Sequence, residues 1–421
     1  MNTARLLFIE KFFVKPLLWG LNILVRCAGK ILCINHDLSK EFNVIAVCKF
    51  KGMGSIIQAT PLLATLRNRY PHAEIIFVST TANKAILSKI PSINTLVLLN
   101  DKSFFTLIAS IFPFMLKLIR KRIKVYYDLE IYSHFSSLVT TCSLAKNRIG
   151  FYLRSSDYRM GIYTHMMYYN INSSISLVYL QLARLLGISD ITTELYDFRP
   201  FAITSMEYSK EEKLHLQDDN YFVINVNASD LRLERRWGNN NFASLISMLQ
   251  EQFPDYKIVL IGNKSEQQYV QELMSHLNAL HNIINYAGKT TIDELIALIG
   301  NANLMITNDT GPMHIAFASK TKTVALFGPC TPSQYGNFEQ TNIIYHRVYC
   351  SPCVHEFAKP PCNGDNQCMK NITPDEVLIA VKDAVSNNFS PNPPFLKDDI
   401  IWKKMENTNV PLGIVSRKKK I

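Results

Sequence analysis

Short apolar runs alternate with longer amphipathic stretches along most of this 421-residue chain. Residues 43–50, 74–79, 95–99 and 124–131 are rich in Val, Ile, Leu, Phe and Tyr. That pattern predicts strands buried on both faces, as in a parallel sheet. Between the first two, 56–70 reads as a helix, and after the last, 174–187 reads as another. A polar connection over 194–209, containing Pro200, interrupts the pattern, which then starts again. Strands are predicted at 221–226, 257–261, 283–286, 304–306 and 323–327, with helices at 241–252, 266–277 and 292–300. Strands alternating with helices twice over predict an α/β protein of two Rossmann-like domains with parallel sheets.

Length agrees, since a chain this long exceeds one ordinary core. The expected division is an amphipathic segment at 1–40, a first domain at 41–205, a second at 206–388 and a basic tail at 389–421, the two domains facing an interdomain cleft. Residues 12–25 are apolar, but Lys15 leaves only about ten apolar residues in a row, short of the ~20 that span a bilayer. No small-residue cleavage site follows that would make a signal peptide. The stretch instead suits a segment lying on the inner leaflet, with Trp19 at the interface and lysines near headgroups; the alternative is a helix packed on the protein's own core. Residues 104–119, interrupted by Pro113 and Lys117, are likewise too short to span, and read as a core helix or a second membrane-facing patch. A cytosolic, reducing location follows as the expectation. Cys27, Cys33, Cys48, Cys142 and Cys330, isolated in apolar surroundings, then read as reduced core residues.

Charge narrows the partners. A net charge of +11 favours polyanions. No basic run is interleaved with stacking aromatics, so nucleic acid ranks below anionic lipid or glycolipid.

The most informative stretch is 304–329: a buried strand, the turn Asn308-Asp309-Thr310-Gly311-Pro312, a helix and a second buried strand. Unpaired N–H groups at such a helix start favour a bound anion such as a phosphate, and Gly311 lets the main chain approach it. The alternative for Asp309 and Thr310 is a plain N-cap worth ~1 kcal/mol.

The segments 307–314 and 324–329 resemble the donor-site signature of glycosyltransferase family 9, the bacterial ADP-heptose:lipopolysaccharide heptosyltransferases. Residues 52–63 with Arg67 and Pro71, the Arg235-Arg236-Trp237 triplet, 260–262 with Glu266, and 287–290 agree with that family in order and spacing, over roughly residues 43–385. The resemblance implies the GT-B architecture and inverting, metal-independent sugar transfer with no cofactor. It implies a nucleotide-sugar donor (ADP-heptose), a lipid-linked glycan acceptor, and a monomer working on the inner face of the cytoplasmic membrane without nucleic acid.

It also assigns roles. Asn227, Ser229, Glu266, Asp309, Thr310, Gly311, Pro312 and His314 would hold the donor. Beside a diphosphate a carboxylate is unfavourable, so Asp309 would bond a sugar hydroxyl or cap the helix; Glu266 would accept from ribose hydroxyls. Arg235 or Arg236 would neutralise the leaving diphosphate, and the sequence does not choose between them. Lys51, Gly52 and Gly54 would wrap a phosphate or the acceptor. Here the chain departs from the family: Ser55 stands where the family carries an aspartate base, and a serine hydroxyl does not titrate near neutral pH. Three explanations compete. Asp128 or Glu130 serves instead, Ser55 only orients the acceptor, or the protein is an inactive nucleotide-sugar-binding scaffold. Cys350, Cys353, Cys362 and Cys368 form a cluster that is either a zinc site or a metal-free structural staple, and no catalytic metal is expected.

Overall fold

The computed structural model describes residues 14–199, 205–207, 213–228, 232–277, 281–337, 339–354 and 360–389. They fall into two compact units, one up to Glu194 and one from Leu195. Ser229 and the basic tail from 390 onward lie outside the described residues, as do residues 1–13 of the amphipathic segment.

In the first unit six parallel strands, β1 (Val44–Cys48), β2 (Glu74–Thr80), β3 (Thr95–Leu99), β4 (Val125–Asp128), β5 (Asn147–Tyr152) and β6 (His165–Tyr168), stand in the order β3-β2-β1-β4-β5-β6. The helices are α1 (Lys15–Ile31), α2 (Met53–Ile57), α3 (Thr60–Arg69), α4 (Phe104–Arg120), α5 (His134–Cys142) and α6 (Ile175–Arg184), with a short turn of helix at Lys84–Leu87. Helix α3 packs against α6, while α5 packs against both α4 and α1. The chain runs outward from β1 to β3 and then crosses back to β4, so right-handed crossovers place these two groups of helices on opposite faces.

The second unit repeats the plan. Strands β7 (Ser205–Glu207) and β8 (Lys213–His215) form an antiparallel pair at its start. Then β9 (Tyr221–Asn225), β10 (Lys257–Leu260), β11 (Ile283–Asn285), β12 (Leu304–Asn308), β13 (Thr323–Phe327) and β14 (Thr341–Tyr345) make a parallel sheet ordered β11-β10-β9-β12-β13-β14. Its helices include α7 (Asn239–Gln252), α8 (Gln267–Ser275), α9 (Ile292–Gly300), α10 (Gly311–Ala318) and α11 (Pro374–Val385). Phe222, Ile224 and Val226 of the β9 segment bury one sheet face against Phe242, Leu245 and Val381, while Met313 and Phe317 of α10 cover Ala325 and Phe327 on the other.

Several elements differ from the sequence expectation. The helix expected over 56–70 is two helices, because Pro61 opens a new one at Thr60. Strands β5, β6 and β14 and helix α5 lack the long apolar run that announces a core element, and helix α11 (Pro374–Val385) is a further element beyond the sequence expectation. Arg148 inside β5 is buried by giving its guanidinium hydrogen bonds to the Ile162 and Ala145 carbonyls, each at 2.8 Å. Cys48 and Cys330 are buried thiols as expected, but Cys27 and Cys33 are exposed, since they sit on or just beyond the outward face of α1. Among the described residues no helix is long and apolar enough to cross a membrane.

Candidate active site

In both parallel sheets the order of strand addition switches sides between the first and fourth strands, and the crevice beyond the carboxyl ends there is where open α/β sheets bind ligands. In the second unit that point lies between β9 and β12, and the 308–312 turn is built on it. Three asparagines hold it together. The register sets Asn225 beside Thr307. Asn225 Nδ2 donates to Thr310 Oγ1 at 2.7 Å and to Thr307 Oγ1 at 3.1 Å. Asn308 Nδ2 donates to the Val226 and Asn227 carbonyls at 3.0 and 3.1 Å, and Asn227 Nδ2 to the Ile261 carbonyl at 2.9 Å. The carboxyl ends of β12, β9 and β10 are thereby tied into one frame. The buried side-chain oxygens of Asn227 and Asn308 have no hydrogen-bond partner in the structure. Such acceptors are expensive to leave unmet, and donors such as sugar hydroxyls would satisfy them.

Helix α10 starts from Thr310 without a side-chain cap. The Thr310 hydroxyl instead accepts from Asn225 Nδ2 and donates to the Asn308 carbonyl at 3.4 Å. Asp309 does not cap the helix either, contrary to one expectation. Its carboxylate lies 3.4 Å from Arg235 Nη1, which also donates to the Asp309 carbonyl at 3.3 Å. Gly311 and Pro312 form the first helical turn, so the N–H groups there and the Arg235 guanidinium make a positive locus beside a carboxylate.

The structure separates the two arginines. Arg235 ends a 3-10 turn, Leu233–Arg235, and reaches Asp309. The Arg236 guanidinium carbon sits 3.8 Å from the centre of the Tyr269 ring, a cation–π contact that holds it on α8. Trp237 anchors the turn: it is buried against Phe242 and its Nε1 donates to the Ile372 carbonyl at 2.9 Å.

His314, on α10, is buried against Phe317. Burial drives its pKa down to about 4; Asp309 opposes this and Arg235 adds to it. The imidazole is therefore neutral near pH 7 and carries a single N–H, not a charge. Glu266 accepts the Asn263 N–H at 2.7 Å in a reciprocal capping box, so one of its carboxylate oxygens serves the turn after β10.

In the first unit the equivalent crevice lies at the end of β1. Gly52, at φ +88°, turns the chain into α2, Lys51 is exposed and Gly54 is buried. Behind the loop, Glu130 accepts from Lys49 Nζ at 2.7 Å and from the Phe50 and Lys51 N–H groups at 2.9 and 3.0 Å. Burial pushes the Glu130 pKa up, but the Lys49 charge and these hydrogen bonds outweigh it and hold the group below its ordinary value. Asp128 is fully enclosed. It accepts from Ser136 Oγ at 2.9 Å, from the Tyr163 hydroxyl and from the Glu130 N–H, with Arg159 Nη2 at 3.4 Å. Burial raises its pKa, against the pull of Arg159. The expectation that Asp128 or Glu130 replaces the missing base is thus not met: one is sealed in the core and the other clamps the loop from behind. Ser55 is half-buried on α2 and hydrogen-bonded to the Tyr179 phenol. The Asp128 and Glu130 roles were not readable from the sequence, because their partners come from strands and helices far along the chain.

Cys350, Cys353, Cys362 and Cys368 line a cavity of about 40 Å³ next to Pro329. Burial and then the neighbouring thiols raise the Cys368 pKa to about 11, so it is a neutral thiol near pH 7. Among the described residues no group of three or more His, Cys, Asp or Glu side chains is arranged to hold a metal ion.

Comparison with known proteins fits this geometry. Residues 115–362 match the family model of glycosyltransferase family 9 (heptosyltransferase). The chain is 24% identical over 342 residues to lipooligosaccharide heptosyltransferase 2 of Campylobacter jejuni, covering 80% of this chain and 96% of that one. It is 28% identical over 297 residues to lipopolysaccharide heptosyltransferase 3 of Escherichia coli, covering 65% and 79%. The solved E. coli ADP-heptose lipopolysaccharide heptosyltransferase II superposes with a TM-score of 0.63 at 22% identity, over 82% of this chain and 98% of that one, which gives the GT-B fold. With its paired six-stranded parallel sheets and its turn at the second switch point, the chain belongs to glycosyltransferase family 9, the heptosyltransferases.

Proposed function

We propose that this glycosyltransferase moves a heptose, with inversion and without a metal, from an ADP-activated donor to a lipopolysaccharide core or related surface glycan. The single observation that carries the donor assignment is the α10 N-terminus, uncapped and flanked by Arg235 at the switch point of the second sheet. The diphosphate sits on the first-turn N–H groups and Arg235, and the unmet oxygens of Asn227 and Asn308 take hydroxyl donors from the sugar nucleotide. Glu266, in the turn after β10, is the residue assigned to the ribose hydroxyls.

The residue 206–388 domain holds the donor and the 41–205 domain the acceptor, as a monomer at the inner face of the cytoplasmic membrane. The acceptor hydroxyl oxygen attacks the anomeric carbon. The bond from that carbon to the diphosphate breaks with its electron pair, and Arg235 and the helix dipole stabilise the charge that leaves. Ser55, positioned by Tyr179, orients the hydroxyl, whose proton passes to solvent as the bond forms. A base of ordinary carboxylate strength is not part of this scheme.

The test is a thermal-shift screen of nucleotide sugars followed by transfer assays on heptose-deficient lipopolysaccharide. A ligand at a hundred times its Kd adds roughly 2.7 kcal/mol. ADP-heptose should give the largest shift, and Thr310→Ala with Asp309→Ala should remove it. No shift with any sugar nucleotide would overturn the reading. Binding without transfer to any acceptor would favour the second reading, an inactive nucleotide-sugar-binding scaffold, which the substitution at Ser55 motivates.

A further inference from the structure

Most of the large apolar side chains that the described residues leave exposed fall on or beside just two helices, α1 and α4. On α4, Phe105 is 82% exposed and Phe112 75%, with Ile108 and Phe104 beside them. The opposite side of α4, Phe114 and Leu118, is packed into the core against Val139 of α5. A helix apolar on both sides belongs in an interior, yet one whole side of this one faces outward. Helix α1 shows the same division. Val14 and Leu18 pack with Ile162 and Tyr163, and with Leu138 of α5, and Asn22 Nδ2 donates to the Met160 carbonyl at 3.0 Å. Trp19, 73% exposed, and Leu24 point away.

These two faces belong together. Both helices pack on α5, so both lie on the same side of the first sheet. Neither contains an Asp or Glu. Lys15, Arg26 and Lys30 stand on α1, Lys117 and Arg120 on α4, and Lys102 and Arg122 just outside α4, all exposed. Asp101, beside Lys102, accepts from the Thr81 hydroxyl at 3.1 Å, and the helices themselves carry apolar side chains and cations only, which match an anionic bilayer surface. At 17 residues each, and with cations within or at their ends, the helices are too short and too charged to insert across it.

We propose that α1 and α4 together form a docking face by which the first unit lies on an anionic phospholipid bilayer, Trp19, Phe105 and Phe112 entering the interface. The inference deepens the proposed function, on whose lipid-linked acceptor it rests for its purpose. Its physical basis is separate: apolar area for the interface and cations for the headgroups. A soluble acceptor would not require such a face.

The experiment uses the full chain and co-sedimentation with vesicles of phosphatidylethanolamine and phosphatidylglycerol, against vesicles of phosphatidylcholine alone. The expected result is binding to the anionic vesicles that weakens with added salt, and a blue shift of tryptophan emission that Trp19→Phe removes. Phe105→Ser with Phe112→Ser should weaken vesicle binding by at least about tenfold. The melting temperature and the nucleotide-sugar thermal shift should stay unchanged. Lys15→Glu with Lys30→Glu should weaken binding to the anionic vesicles only. Failure to bind vesicles, or equal binding by the Phe variants, overturns the proposal. So does concentration-dependent self-association of the wild type that the Phe variants abolish, since a second copy would then cover the face. Vesicle binding without sugar transfer would leave the docking face standing and count against the transferase reading alone.

Discussion

Arg235 Nη1 stands 3.4 Å from the carboxylate of Asp309 and donates to the same residue's carbonyl at 3.3 Å, so one guanidinium closes the turn that opens α10. Its neighbour Arg236 is occupied on the Tyr269 ring. Arg235→Ala should therefore lower kcat by about a hundred- to a thousandfold, the scale for losing one preorganised charge-stabilising donor. Arg236→Ala should change kcat by less than about tenfold, its cation–π contact being worth only about 1 kcal/mol of stability. Steady-state kinetics of the two variants with donor and acceptor varied separately checks this; equal losses would show that the leaving group is not held by Arg235.

Asn225 ties Thr310 to Thr307 through one amide. Replacing it with alanine leaves both hydroxyls short of a partner at the switch point. Asn225→Ala should cost about 1–3 kcal/mol in urea unfolding and weaken donor binding. Asn225→Asp, which cannot donate when ionised, should not restore it.

Lys49 and Glu130 form a buried ion pair, 2.7 Å apart, behind the first-unit loop. Breaking it from one side strands a charge. Glu130→Gln should destabilise the protein by about 3–5 kcal/mol. Lys49→Met combined with Glu130→Gln should recover part of that loss, because no unpaired charge remains. Guanidinium denaturation of the single and double variants measures the coupling.

Gly150 on β5 has Tyr163 directly above it. A Cβ there would lie 2.7 Å from a ring carbon of a tyrosine whose hydroxyl is committed to Asp128. Gly150→Ala should destabilise by about 1–3 kcal/mol through overpacking. A melting temperature equal to wild type would show that the ring has room to move.

His314 sets a pH dependence. Its pKa falls from 6.5 in the unfolded chain to about 4 in the fold, chiefly by burial. The unfolded state thus binds the extra proton first. Stability is fully present above pH 6.5 and is lost as pH falls toward 4, by an amount on the order of 3 kcal/mol for this group. His165, lowered to about 4 in the same way by burial, adds in the same direction. The slope of unfolding free energy against pH should shrink in that window for His314→Gln.

The sequence alone was enough for the repeated strand–helix alternation, because a strand buried on both faces needs an unbroken apolar run, and such runs show in one dimension. It was also enough for the 308–312 turn, where a glycine and a proline follow an Asp-Thr pair at a helix start. Strands β5 and β6 were not legible, since Arg148, Gly150 and His165 break their apolar runs and are accommodated by partners brought from elsewhere in the fold. Nor could the sequence choose between Arg235 and Arg236. They are adjacent, and what divides them is where Asp309 and Tyr269 arrive in space. The same holds for Asp128 and Glu130. Two carboxylates one residue apart at a strand end look equally able to accept a proton. Only the packing of Arg159, Ser136 and Tyr163 around one, and of Lys49 around the other, commits both to the protein itself. Periodicity along the chain records which side of an element is buried; the partner of a particular charge is fixed by strand order and register, which bring distant residues to one place.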